Sequence, residues 1–155
     1  MRNVPAQADT RPPAHDVLVL GVTASDAHAV ANQLIEHHLR AEGYTVINLG
    51  ACTPVSEFAR TVRENPGVLA VLIGSLNGHA HHDLRDLPAT RAAGDLPCPV
   101  VLGGNLSVGS HKHPSALDKL RRLGVDHILT DLDELLPLLR ELAQRAAQPH
   151  LPEAA

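Results

Sequence analysis

The residues with the most chemical content are Asp26-Ala27-His28, set in the stretch Thr23-Ala24-Ser25-Asp26-Ala27-His28-Ala29-Val30. A His that binds a metal commonly has its second ring nitrogen held by a carboxylate or carbonyl. That partner fixes the tautomer and makes the free nitrogen a better donor. Asp26 and His28 have the types and spacing to form such a pair, with His28 facing a metal. The other reading is an Asp that caps the following helix and a His solvated on its first turn. Spacing alone leaves both open.

Two further stretches place small residues where a ligand could approach the backbone closely. They are Gly74-Ser75-Leu76-Asn77-Gly78 and the run Gly103-Gly104-Asn105-Leu106-Ser107-Val108-Gly109. Elsewhere the chemistry is thinner. His79 and His82 would share a helix face, with His81 between them, but only Asp83 could join them as a ligand. Cys52 follows a strand-like run with no base placed beside it. A Gly-x-Ser-x-Gly elbow and a phosphate-cradling Gly-x-x-x-x-Gly-Lys loop are both missing.

Each of the three stretches closes an apolar run that reads as a parallel strand. Residues 16–22, 45–50, 68–73, 97–102 and 125–129 supply five such runs. Helical spacing follows each of them. The first helix covers 29–42, with Val30, Leu34, Ile35 and Leu39 as its apolar face and Gly43 as its stop. Thr53 reads as the N-cap of the second, with Pro54 at its first position and Phe58, Ala59 and Val62 turned inward. The third spans 80–93 and is broken or kinked at Pro88. The fourth covers 114–123, and the last starts at Thr130-Asp131 and runs to about 148. Strands alternating with helices and joined by short connections predict an α/β doubly wound sheet of order 2-1-3-4-5. Its ligand crevice lies between strands 1 and 3, at their carboxyl ends.

Bulk composition narrows the partners. The chain has 155 residues, enough for one domain with a full core. Its net charge of −4 comes without a basic stripe, and one Phe, one Tyr and no Trp leave no base-stacking platform, so nucleic acid is excluded as a partner. No apolar run approaches the ~20 residues of a membrane span. The first 15 residues lack the apolar stretch of a signal peptide and read as disordered, and residues 149–155 read as a flexible tail. Two cysteines, Cys52 and Cys98, make no disulfide framework, which favours a reducing, cytoplasmic location.

The stretch Leu20-Gly21-Val22-Thr23-Ala24-Ser25-Asp26-Ala27-His28-Ala29-Val30-Ala31-Asn32 resembles the cobalamin-binding signature Asp-x-His-x-x-Gly. More narrowly, it is similar to the small, cobalamin-binding subunit of glutamate mutase (methylaspartate mutase). Gly43-Tyr44-Thr45-Val46-Ile47-Asn48-Leu49-Gly50 and the stretches 74–78 and 103–109 match in the same order, so the likeness covers about residues 16–145. The resemblance implies a flavodoxin-like (Rossmann-like) three-layer sandwich, with residues 16–148 as a cobalamin-binding domain. It implies adenosylcobalamin held with its own dimethylbenzimidazole displaced from cobalt, His28 as the axial cobalt ligand and Asp26 on the other ring nitrogen. Ser25, Ala27 and Ala29 would also bind the cofactor, and its nucleotide tail would lie between strands 1 and 3 against Gly74, Ser75, Leu76, Gly103, Gly104, Asn105, Leu106, Ser107, Val108 and Gly109.

The same resemblance implies a partner, a large barrel subunit that binds the amino-acid substrate and without which the chain is inactive. The reaction would be a radical carbon-skeleton isomerisation of the glutamate to 3-methylaspartate type. Competing expectations are a stand-alone cobalamin carrier or sensor, a methyl-corrinoid carrier, or a domain that has lost its corrinoid and serves in protein interaction. This chain departs from the family pattern at three places. Ala31 stands where the signature has Gly, Gly74 where the family's Ser-x-Leu has its Ser, and Asn77 where the small mutase subunit has Tyr. The Gly74 departure removes a hydroxyl that would hydrogen-bond the benzimidazole, unless Ser75 or a water replaces it.

Overall fold

Alternation of strand and helix begins at Val17 and continues to the last helix. The computed structural model describes residues 16–104 and 114–148. The expected loose ends and the site residues Asn105, Leu106, Ser107, Val108 and Gly109 lie outside the described residues. Strands β1 (Val17–Thr23), β2 (Thr45–Thr53), β3 (Ala70–Ser75), β4 (Val100–Gly104) and β5 (His127–Leu129) form one sheet. Every pairing is parallel and the order is β2-β1-β3-β4-β5, as the sequence predicts. The helices are α1 (Val30–Ala41), α2 (Val55–Glu64), α3 (Ala80–Asp83), α4 (Leu87–Ala92), α5 (Pro114–Arg122) and α6 (Leu135–Ala147).

The central strands are apolar throughout because both sheet faces are covered. Val19, Val71 and Ile73 turn to one face and pack with Phe58 of α2, Leu84, Leu87 and Leu120. Leu18, Leu20 and Leu72 turn to the other, against Leu39 of α1 and Leu135, Leu139 and Leu142 of α6. Phe58 fills a notch that only a glycine opens. A Cβ at Gly21 would lie 2.6 Å from its ring.

Several boundaries differ from the sequence reading. Strand β2 runs on to Thr53 because its pairing with β1 shifts register between Leu20 and Thr23. The extra residues are absorbed at Gly50 (φ 79°) and Cys52 (φ 54°), both in the left-handed region. Thr53 is therefore the last residue of β2 rather than a helix cap. Its hydroxyl donates to Gly50 O, and Pro54 takes the N-cap position of α2. The third expected helix is two, α3 and α4, separated at residues 84–86, with Pro88 inside the first turn of α4 where its missing N–H costs nothing. The last helix starts as a 3-10 turn, Leu132–Glu134, closed by a capping box in which Asp131 accepts from Asp133 N–H and Glu134 accepts from Asp131 N–H. The largest correction is in α1. Leu39 is buried and Ile35 half-buried, but Val30 is 73% and Leu34 65% exposed, and Asn32 takes an inward position.

Candidate functional site

The loop after β1 is fixed from both sides by Asp26, whose side chain is fully buried. Its main chain is tied first. Asp26 N–H donates to Thr23 O (3.0 Å), and Asp26 O accepts from Cys52 N–H (3.0 Å). Its carboxylate then collects four donors. Oδ1 accepts from His28 N–H (3.0 Å) and faces His28 Nδ1 at 2.6 Å. Oδ2 accepts from the N–H groups of Leu76 (2.5 Å) and Asn77 (3.0 Å), in the loop after β3. Burial alone would raise the pKa of this carboxyl. The Leu76 amide, the His28 amide and ring and the Asn77 amide outweigh it and hold the value at about 2.

This removes the helix cap from the second reading of Asp-x-His. Asp26 caps no helix: α1 begins at Val30, its N-cap is Ala29, and no side chain bonds there. An ionised carboxylate only accepts, so His28 Nδ1 must carry the proton. In the neutral ring Nε2 then holds the lone pair, on a side chain that is 61% exposed and borders a cavity. A second tie completes the loop. Ser25 Oγ donates to Asp83 Oδ2 (2.7 Å), and Asn77 Nδ2 donates to Ser25 Oγ (3.0 Å). Asp83 is thus buried against Ser25 rather than joined to His79 and His82. Among the described residues, no group of three His, Cys, Asp or Glu side chains is placed to hold a metal ion.

The cavity has a volume of about 300 Å³ and opens at the carboxyl ends of β1, β3 and β4. Leu20, Ile35, Leu72, Val101 and Leu135 give it aliphatic walls. Of the expected site residues, His28, Gly74, Ser75, Leu76, Gly103 and Gly104 border it. Ser25 and Asp26 brace its loop, whereas Ala27 and Ala29 are exposed and do not border it. Alternation along β3 puts Gly74 on the face of Leu72, towards the cavity, and Ser75 on the face of Ile73. The Ser75 hydroxyl is buried without a partner among the described residues. Gly104, at φ 111°, lets β4 pass close to β3: a Cβ there would stand 2.1 Å from Ser75 O. Ala31 and Asn32 of α1 also border the cavity.

Residues 17–137 match the B12 binding domain family. The chain belongs to that family. Among its curated relatives is the glutamate mutase sigma subunit of Halobacterium salinarum, 40% identical over 113 residues, which cover 73% of this chain and 75% of the relative. The sigma subunit of Carboxydothermus hydrogenoformans is 34% identical over 128 residues, covering 80% and 93%. A solved cobalamin-binding protein from Desulfitobacterium hafniense superposes with a TM-score of 0.66 at 21% identity, over 83% of this chain and 59% of that one, and shares the fold.

The cavity and donor set of this chain fit a cobalamin. An imidazole whose Nε2 has no partner among the described residues borders the cavity, the walls are apolar, and Gly74 and Gly103 border it without side chains. The sequence reading missed Asn32 and gave Asp83 different partners, His79 and His82. Asn32 and Asp83 are buried polar residues, and the signal for Asn32 is its place three residues before Ile35 and seven before Leu39, on the inward face.

Proposed function

We propose that this chain is the cobalamin-binding small subunit of an adenosylcobalamin-dependent carbon-skeleton mutase of the glutamate to 3-methylaspartate type. In this reading His28 Nε2 would hold the cobalt of the cofactor. The observation that carries it is the buried, ionised Asp26 on His28 Nδ1, which in the neutral ring puts the lone pair on Nε2 beside an apolar cavity. The cofactor, when bound, supplies homolytic cobalt–carbon chemistry. The chain supplies position. Asp26 holds the ring and its tautomer. Leu76 and Asn77 tie the loop after β3 to the loop after β1, and Ser25 joins both to Asp83. Leu20, Leu72 and Leu135 exclude water from the buried end of the ligand. The amino acid is bound by a large barrel subunit, and the chain alone is inactive.

The test is the visible spectrum of the purified protein with adenosylcobalamin, alongside His28→Ala. Wild type is expected to form a complex with histidine-on spectral features that the variant lacks. Failure of wild type to bind with a partner subunit present would sink the reading. A complex that forms but gives no turnover of glutamate with that subunit would point instead to a carrier or sensor.

Position 74 gives a second expectation. A Cβ at Gly74 would meet only Gly21 O, at 3.8 Å, so a serine fits there without displacing anything. Gly74→Ser should leave stability within about 0.5 kcal/mol and tighten cobalamin binding by up to about tenfold, the worth of one added hydrogen bond. Titration followed by absorbance measures it, and unchanged or weaker binding would count against a tail lying over Gly74.

A further inference from the structure

Asn32 is 5% exposed, and its Nδ2 has no partner among the described residues. Which end of the amide is unpaired follows from its neighbours. Gly50 N–H donates to Asn48 Oδ1 (2.9 Å), and a backbone N–H can only meet an oxygen, so the Asn48 amide is oriented. Both hydrogens of Asn48 Nδ2 are then spent, on Asn32 Oδ1 (2.7 Å) and Glu36 Oε2 (2.8 Å). Asn32 must turn its oxygen to Asn48, and its NH2 group is left over. Glu36 is held in turn by Arg40, which also donates to Val46 O. The network therefore fixes Asn32 rigidly from behind. Asn32 borders the same cavity that Leu20, Ile35, Leu72 and Leu135 wall with methyl groups. A buried donor left unpaired is costly, and native structures rarely leave one without a use.

We propose that Asn32 Nδ2 is the polar anchor of this cavity, donating to a lone pair on the buried nucleotide end of the ligand, a ring nitrogen or a sugar oxygen. The inference rests on the cobalamin reading above and adds a specificity-determining residue to it. The structure then explains how a cavity with Gly74 in place of a hydroxyl keeps a directed contact with the tail: the donor comes from α1 rather than from β3.

The experiment measures affinity for adenosylcobalamin and for adenosylcobinamide, which has no nucleotide tail. Asn32→Leu should weaken adenosylcobalamin binding about tenfold and change adenosylcobinamide binding less than about twofold. Because that variant also unpairs one Asn48 hydrogen, Asn32→Asp is measured beside it. It keeps an acceptor for Asn48 but replaces the cavity donor with an acceptor, and it should weaken the tailed corrinoid at least as much. The ratio of the two affinities is the readout, since a general loss of folded protein lowers both alike. An equal loss for both corrinoids, or no loss for either, overturns the anchor role. Wild type that binds neither corrinoid overturns the cobalamin reading as well, so the two failures are distinct.

Discussion

Asp26→Ala is expected to cost about 3 kcal/mol of stability in the ligand-free protein and to abolish histidine ligation. The carboxylate satisfies three backbone N–H groups, with Oδ1 on His28 in the loop after β1 and Oδ2 on Leu76 and Asn77 in the loop after β3. Each buried donor left unpaired costs about 1–3 kcal/mol, less where water reaches it at the rim. Urea denaturation of wild type and variant measures the loss. Asp26→Asn separates shape from charge. With its oxygen kept towards Leu76 and Asn77, its NH2 faces His28 Nδ1, and the His28 N–H loses its acceptor. The ring must then accept at Nδ1 and carry its proton on Nε2, which removes the lone pair from the cavity side. The variant should fold and lose histidine-on spectral features, which a purely structural role for Asp26 would preserve.

The same carboxylate makes stability depend on pH in a known direction. Its folded value of about 2 lies below the ordinary 3.8. The stabilisation, about 2 kcal/mol at neutral pH, is complete above the unfolded value and is lost as pH falls through about 2. The stability gap between wild type and Asp26→Asn should therefore hold constant from neutrality down to about pH 5 and narrow below about pH 4. A gap that stays level to about pH 2 would mean that the carboxyl keeps its ordinary pKa in the fold.

The sheet order was legible because nearly every cue agreed: apolar runs at β1, β3 and β4, a glycine at 43 where α1 stops, and short connections. The site was legible in part. Asp-x-His named the right pair, but its meaning depends on the Leu76 and Asn77 amides, fifty residues away, and local spacing does not report those. The inward face of α1 was misread for a geometric reason. Val30 and Leu34 lie roughly 140° of helical rotation from Ile35 and Leu39, so the four cannot share a face. Two apolar pairs compete, and a hydropathy pattern gives no preference between them. The structure selects Ile35 and Leu39 because Asn32 and Glu36, on the same side, find Asn48 of β2. A buried polar network thus set the rotation of the helix. The end of β2 was missed similarly, since a register shift that needs a non-glycine residue, Cys52, in the left-handed region runs against local preference.

Gly104→Ala is expected to destabilise the fold by about 3 kcal/mol or more, and Gly103→Ala by less than about 1 kcal/mol, although the two are adjacent. The difference lies in backbone geometry. Gly104 combines φ 111° with a Cβ position 2.1 Å from Ser75 O and 2.9 Å from Ser75 C. Those are main-chain atoms of the paired strand β3, which cannot swing aside as a side chain would. Relief requires β3 and β4 to part at the point where β3 leads into the Leu76 and Asn77 amides that hold Asp26. The damage should thus reach His28, and the variant should lose corrinoid binding along with stability. At Gly103 an added Cβ meets Leu129 Cβ at 3.8 Å, an ordinary contact, and Gly103 borders the cavity. Its methyl would occupy ligand space without moving a strand. Gly103→Ala should therefore melt close to wild type yet bind adenosylcobalamin several-fold more weakly. Thermal melts paired with absorbance titrations of both variants check this. Equal melting temperatures for the two would mean that β4 has more freedom beside Ser75 than its contacts allow. Unaltered cobalamin affinity in Gly103→Ala would place the ligand's buried end away from β4.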